Sequence, residues 1–212
     1  MREAGWRDER FANSLCDYLA TVSNEAGLVP PLLIDALSSP HAPHWANLPE
    51  AGLNPTAGLC GLLHFQGATH PWLARATEAC VRVLIESPPS EAHALHCAAR
   101  LTEGLADQAA ANRILDIIAA ALPKAAFFKS DAGCTSYGLT PLHFAPTPES
   151  RLAKLFSTQQ RLAHLTELKG RQQEDGGWPV SWETTGPAAT AEWAALVTLE
   201  AVRTLSAYNQ LD

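Results

Sequence analysis

The sequence lacks a long apolar run, because no stretch approaches the roughly 20 residues that a membrane-spanning helix needs. It also lacks any cluster of lysine and arginine, and its net charge is −7. Both features argue against a nucleic-acid or anionic-membrane partner. The first residues, MREAGWRDERF, carry charges where a secretory signal peptide needs its apolar core. We therefore expect no membrane span, no nucleic-acid partner and a cytoplasmic location.

Charge is scarce, and the cysteines are scattered. Charged residues make up 17% of the chain and hydrophobic residues 47%, so the 212 residues can build a sizeable core. The five cysteines are odd in number and scattered, which predicts reduced thiols and no disulfide framework. We expect one domain that spans residues 1–212.

Strand-like alternation of useful length is absent, and helical periodicity dominates. The fold class expected is therefore all-α. A long, proline-rich connection near residues 28–55 offers no more than one short helical turn. Ser90 is the expected cap of the helix that follows Pro88 and Pro89. The predicted helices cover 8–25, 54–67, 70–87, 89–106, 107–123, 151–172 and 189–208.

These helices are of two kinds. Those at 8–25, 70–87 and 151–172 are amphipathic, whereas those at 54–67, 89–106 and 189–208 are small or apolar almost all round. A helix that is apolar on every face must be covered on every face or border an apolar cavity. Alternating outer and inner helices are what a barrel of helical hairpins requires.

A turn rich in glycine and tryptophan precedes the last helix, in the sequence QQEDGGWPVSW from Gln172 to Trp182. The Gln172 amide can bond free groups at a helix end, and the Trp178 indole offers a flat face for that amide. Gly176 supplies the backbone freedom that reverses the chain. We expect the unit, with Trp178 and Trp182 as structural tryptophans, to join an outer helix to an inner one.

This spacing, followed by AEWAALVTLEAVRTL, resembles the Gln-Trp repeat of the terpenoid cyclase and protein prenyltransferase superfamily, which includes the squalene-hopene cyclases. The segments NPTAGLCGLLHFQGATHPWLARA and SYGLTPLHFAP are similar to pieces of bacterial toroid proteins of that type. The resemblance implies an α/α toroid, a ring of helical hairpins around an apolar cavity that binds or processes an isoprenoid. A closed ring of six hairpins needs on the order of 300 residues, so we expect a partial or open ring.

The motifs that carry chemistry in that superfamily are absent. The chain has neither Asp-x-Asp-Asp, which supplies the acid of squalene-type cyclases, nor Asp-Asp-x-x-Asp, which binds magnesium for diphosphate ionisation. The zinc ligands of the prenyltransferases have no match either. No cofactor is therefore predicted, and whether the protein is an enzyme stays open.

Several residues are candidates for a site in such a cavity. Asp131 is the candidate general acid if it is buried, although Asp-Ala-Gly is also an ordinary turn. Tyr137 and His143 lie in the same irregular segment and are candidate ligand-binding residues at the cavity mouth. Trp193 could form an aromatic wall with Glu192 beside it, the alternative being core packing and helix capping.

Two further groups have a structural alternative. Trp45, with His41 and His44, lies in the proline-rich connection and is a candidate pocket rim, or a residue that covers the core. His93, His96 and Cys97 share one helix face, but no spacing nominates the remaining ligands, so no metal is predicted.

The sequence leaves two functions open. One is a terpenoid-cyclase-like or prenyltransferase-like protein that binds or processes an isoprenoid or another hydrophobic small molecule. The alternative is a non-catalytic helical module that associates through its apolar edge, either with a second copy as a homodimer or with a complementary chain.

Overall fold

The computed structural model describes residues 6–41, 50–134 and 136–211, and within these ranges the protein is helical. No strand occurs among the described residues, so the all-α class is confirmed. Short 3₁₀ turns accompany the helices in the described ranges, at Ile34–Ser38, Leu122–Lys124 and Ala153–Leu155. The α-helices are α1 (Glu9–Val22), α2 (Leu53–Phe65), α3 (Pro71–Glu86), α4 (Ala92–Gly104), α5 (Gln108–Ala121), α6 (Pro141–Phe144), α7 (Thr158–Gly170) and α8 (Pro187–Ala207).

The chain divides into two compact units. Unit 1 runs to Ala126 without residues 40–42 and contains α1 to α5, whereas unit 2 consists of those three residues and the chain from Phe127 onward and contains α6 to α8. The expectation of a single domain over 1–212 stays a prediction, as does the α/α toroid.

Side chains cap several of the helices. Asp8 accepts a hydrogen bond from the Phe11 amide, which starts α1. The cap of α4 differs from the expected Ser90: it is Glu91, whose carboxylate accepts from the amides of His93 (2.9 Å) and Ala94 (3.1 Å). The longer glutamate can reach both free amides of the first turn, which satisfies two orphan donors with one side chain.

In unit 1, α2 and α4 pack against each other, and α3 and α5 cover them. Further contacts join α1 to α3 and α3 to α5. Two of the helices that the sequence predicts to be apolar all round are thus packed side by side.

Glycine permits the close approach of α2 and α4. A Cβ atom added to Gly61 would lie 2.2 Å from the carbonyl oxygen of Arg100, and one added to Gly104 would lie 2.1 Å from that of Gly61. Both distances are far below van der Waals contact, and both involve backbone atoms. The two backbones therefore touch at a point that no side chain could occupy.

The helix predicted over 151–172 is shorter than expected. A 3₁₀ turn at Ala153–Leu155 comes first, Phe156 is extended (φ −115°, ψ 128°), and α7 begins only at Thr158. The reason is Ser157, whose hydroxyl oxygen accepts a hydrogen bond from the Gln160 amide (3.1 Å) and so acts as an N-cap inside the periodic pattern.

The core of unit 2 gathers side chains from all three of its helices. Leu142 of α6, Leu165 of α7 and Leu205 of α8 are buried around Trp178, together with Ala201. Large apolar side chains on the rest of α8 are not fully covered: Trp193, Leu196, Leu199 and Val202 are 37–54% exposed. Across the described part of the chain, no helix is long and apolar enough to cross a membrane.

Candidate functional site

Four aromatic side chains of unit 2 form a continuous series, which we call the aromatic row: Phe127, Tyr137, Trp182 and Trp193. Ring centroids are 6.2 Å apart for Phe127 and Tyr137, 5.9 Å for Tyr137 and Trp182, and 5.3 Å for the two tryptophans. The interplanar angles of 60°, 77° and 80° are those of edge-to-face contacts, which favour such pairs beyond simple burial. The row is a surface feature, since Phe127, Tyr137 and Trp193 are 44–53% exposed.

The first half of the row is held by a narrow backbone loop. Lys129 donates its amide hydrogen to the Leu139 carbonyl oxygen (2.8 Å), and the Leu139 amide donates to the Phe127 carbonyl oxygen (2.7 Å). Gly138 lies at the close approach, where an added Cβ would come within 2.6 Å of that Phe127 oxygen. Phe127 itself adopts a φ of 61°, which is uncommon for a residue with a side chain. This loop brings Phe127 and Tyr137 together.

An open hollow of about 500 Å³ adjoins this end of the row. Its polar groups include Lys129, whose side chain is 9% exposed and whose Nζ donates to the Cys134 carbonyl oxygen at 3.4 Å. Asp131 supplies a carboxylate to the same hollow and is exposed. The hollow is lined by Phe127, Phe128, Lys129, Ser130, Asp131, Cys134, Ser136 and Tyr137.

Cys134 is the exposed thiol of this hollow. Its Sγ lies 3.4 Å from the Ser136 hydroxyl oxygen, and this hydrogen bond lowers the pKa of the Cys134 thiol. The hollow thus combines aromatic surface, one cation, one carboxylate and one accessible thiol.

The structure brings two predicted ligand-binding residues together. Tyr137 and Trp193 are far apart in sequence, yet both contact Trp182. Asp131 lies in the hollow beside Tyr137, but its side chain is exposed, so the burial on which the general-acid interpretation depends is not observed. Its catalytic role stays a prediction.

Other predicted residues lie apart from the row. His143 is engaged locally: its Nδ1 accepts from the Thr140 amide at 3.0 Å and so caps the short helix α6. Glu192 is exposed on α8, next to Trp193 in the chain. Trp45 lies outside the described residues. These three assignments also stay predictions.

The Gln-Trp segment has the geometry of a joint. Gln172 donates from its amide to the Gly176 carbonyl oxygen at 2.9 Å, so it closes its own loop instead of reaching a neighbouring helix. Gly176 has a φ of 86°, the left-handed conformation that glycine adopts without strain. Trp178 is buried, and its indole N–H donates to the Leu168 carbonyl oxygen of α7 at 2.7 Å. Trp182 lies in the aromatic row, and its structural role stays a prediction.

Groups that could ligate metals do not converge. Among the described residues there is no set of three or more His, Cys, Asp or Glu side chains able to hold an ion. His93 is hydrogen-bonded to Glu91, and the Cys97 thiol donates to Asn54 Oδ1 at 3.6 Å. Cys16, Cys60 and Cys80 are buried free thiols.

Compared with known protein families, with curated proteins and with solved structures, the chain matches none. The resemblance to the terpenoid cyclase and prenyltransferase superfamily therefore stays a prediction.

Sequence reasoning did not single out Phe127 or assign Trp182 to a binding surface. The sequence does contain one signal: the aromatic pair Phe127–Phe128 stands at the start of an irregular, polar segment. Aromatic side chains in such a segment are less often buried in a core and can lie at the surface. The partners of these rings depend on the tertiary fold, and no local pattern reveals them.

Proposed function

We propose that unit 2 binds a hydrophobic small molecule along the aromatic row, and that isoprenoids are the leading class of ligand. The observation that carries the proposal is the continuity of the row: four rings in successive edge-to-face contact lead into the open hollow. Contiguous exposed apolar surface next to a few polar groups is typical of ligand-binding sites.

The chemistry of the row fits a branched apolar chain. Ring faces and edges offer apolar contact at steps of 5.3–6.2 Å. At the hollow, the Lys129 ammonium group can pair with an anionic head group, and Asp131 can accept a hydrogen bond from a hydroxyl. A molecule with an apolar chain and one polar end would use both parts.

The test is a titration followed by tryptophan fluorescence, because Trp182 and Trp193 belong to the row. Geranylgeraniol, geranylgeranyl diphosphate and squalene are the probes, and Y137A is expected to raise the Kd at least about tenfold. Y18A is the matched control, since Tyr18 lies on α1 of unit 1 and is 51% exposed against 44% for Tyr137. Equal affinity of Y137A and the parent protein would contradict the proposal.

Catalysis needs its own measurement. The protein is incubated with geranylgeranyl diphosphate or squalene, with and without Mg²⁺, and the products are extracted and analysed. Product formation that D131N abolishes would assign Asp131 the general-acid role. Saturable binding without any product would make binding alone the function.

We include the toroid-like fold and the cytoplasmic location in the same proposal. The packing of α2 against α4, with α3 beside α2 and α5 beside α4, supports an α/α-toroid-like arrangement of hairpins in which α2 and α4 are inner helices. The free cysteines support a reducing, cytoplasmic location.

A second candidate function is association with protein through α8, which its uncovered Leu196 and Leu199 favour (52% and 54% exposed). Carbene footprinting of these side chains tests it. Protection in concentrated extract of the producing cells, relative to the dilute purified protein, is expected if the face is covered in use. Equal labelling in both samples would contradict it.

A further inference from the structure

The uncovered face of α8 carries a stripe of four side chains: Glu192, Leu196, Leu199 and Arg203. They follow one another at intervals of four, three and four residues, which places them on one side of a helix. All four are exposed. Two helices that pack along their length contact each other through residues at such alternating intervals of three and four.

The stripe points away from the core of unit 2. Ala201, Thr204 and Leu205 lie on the opposite side of α8 and are 1–9% exposed. Thr198 also faces inward, because its hydroxyl oxygen accepts the Trp178 amide hydrogen at 2.9 Å. The orientation of α8 is therefore fixed by its buried side.

The stripe is self-complementary when read in opposite directions. About the midpoint between Val197 and Thr198, Leu196 is equivalent to Leu199, and Glu192 is equivalent to Arg203. Trp193 and Val202, which are 46% and 37% exposed, lie on opposite flanks of the stripe. A two-fold axis at this midpoint would place leucine on leucine and opposite charges at both ends.

We propose that α8 packs antiparallel against α8 of a second copy of this chain, about a two-fold axis between Val197 and Thr198. The inference rests on the second candidate function and names its partner. Leu196 of one copy meets Leu199 of the other, and Glu192 meets Arg203 of the other. A two-fold contact of this kind uses the same patch on both copies, so it closes as a dimer.

Charge selects this register. A parallel pair would bring Glu192 against Glu192 and Arg203 against Arg203, which like-charge repulsion disfavours. An unrelated partner would not require that the two halves of the stripe match each other. Within the stripe, leucine matches leucine and the acid matches the base about one midpoint. A second copy of the same helix needs this match to form a two-fold contact.

The interface is small. The stripe covers eleven helical steps, or roughly 16 Å, and stable complexes use about 20–30 residues a side. We therefore expect a weak dimer, with a Kd of about 10–100 µM.

The experiment is sedimentation equilibrium of the whole chain between 1 and 500 µM, with circular dichroism as a check of helix content. The parent protein is expected to move from monomer to dimer across this range. L199E is expected to remain a monomer throughout, with a Kd raised at least about thirtyfold. The matched control is L162E, because Leu162 lies on α7 of the same unit and is 48% exposed; it should dimerise like the parent.

Charge reversal tests the antiparallel register. E192R alone and R203E alone place like charges at both ends of the interface, and each should weaken the dimer by about tenfold. The double variant E192R/R203E restores both pairs with their signs exchanged and should recover the parent Kd within about threefold. A double variant that is as weak as the single ones would overturn the register.

A parent protein that stays monomeric at 500 µM would overturn the second-copy proposal. Footprinting then distinguishes association of α8 with any protein from association with a second copy. Protection of Leu196 and Leu199 in extract, with no dimer of the pure protein, leaves the association function standing with another partner. Equal labelling in extract and in dilute solution would contradict both the association function and the proposed dimer.

Discussion

The indole N–H of Trp178 donates a 2.7 Å hydrogen bond to the carbonyl oxygen of Leu168, in the last turns of α7. The Trp178 amide donates to Thr198 Oγ1 of α8 at 2.9 Å. The side chain is 2% exposed and packs with Leu165 and Leu205, one from each helix. A single residue therefore joins the helix before the turn to the helix after it.

We expect W178A to destabilise the protein by about 3–5 kcal/mol, because it removes a large buried side chain and leaves a cavity. W178F should cost less, since it keeps most of the packing but leaves the Leu168 carbonyl without its indole donor. The measurement is urea denaturation followed by circular dichroism.

W193A is the control for this pair of variants. Trp193 lies on α8 in the same unit and is 46% exposed, so its removal should cost about 1 kcal/mol or less. If W178A and W193A had equal free energies of unfolding, the structural role of Trp178 would be refuted.

Helix positions could be predicted from the sequence because they depend on local patterns. Apolar periodicity, capping side chains and prolines at helix starts act within a few residues of each other. The regular backbone of α2 begins at Pro55, close to the start of the helix predicted over 54–67, since Asn54 is still extended (φ −98°, ψ 115°). The start of α7 could not be predicted, because Ser157 interrupts a pattern whose apolar spacing continues through it.

The candidate site depends on contacts that no local pattern encodes. Trp178 was recognisable because its spacing from Gln172 is short. Trp182 reads as a second structural residue of the same motif, yet its ring lies between Tyr137 and Trp193. Side-chain direction after a loop is set by the packing of distant elements, so the aromatic row emerges only in three dimensions.

Replacement of Gly61 tests the contact between α2 and α4. G61A would bring a methyl group within 2.2 Å of the Arg100 carbonyl oxygen, so the helices must separate. We expect a destabilisation of at least about 1–3 kcal/mol, measured by urea denaturation.

Gly58, one turn earlier on α2, is the matched control. A Cβ there would lie 3.5 Å from Cys97 Sγ, which is ordinary contact. G58A should be neutral or stabilising by up to about 1 kcal/mol, because alanine favours helix over glycine. Equal effects of G58A and G61A would contradict the close approach of the two backbones.

His64 should make stability depend on pH. Burial lowers the pKa of His64 below its ordinary value of 6.5, and its Nε2 lies 2.8 Å from the Thr77 hydroxyl oxygen. Below pH 6.5 His64 is protonated in the unfolded chain but remains largely neutral in the folded protein. The contribution of neutral His64 to the free energy of unfolding is therefore fully present above pH 6.5 and is lost as the pH falls. Urea denaturation between pH 7.5 and 5.0 should show H64Q losing less stability than the parent. Parallel curves for the two proteins would show that His64 does not contribute.

Cys134 should be the fast-reacting thiol of the native protein. It is exposed, and its hydrogen bond with Ser136 lowers the pKa of the thiol, which raises the fraction of reactive thiolate. Burial raises the pKa of the Cys97 thiol and that of Cys16, the latter to about 11. The hydrogen bond between Cys60 and Cys80 raises the pKa of the Cys80 thiol and lowers that of Cys60, and both side chains are fully buried, so the reagent cannot reach them in the native protein. Ellman's reagent should therefore modify about one thiol per native chain rapidly, and the remainder only after unfolding.

C134S should abolish the fast phase, whereas C97S should leave it unchanged. Because Cys134 lines the hollow beside Tyr137, an occupied hollow should also slow its modification. Saturating geranylgeraniol is expected to reduce the rate in the parent protein and to have no such effect in Y137A. Protection that persists in Y137A would separate the hollow from the aromatic row, and the ligand would then be held by the loop alone.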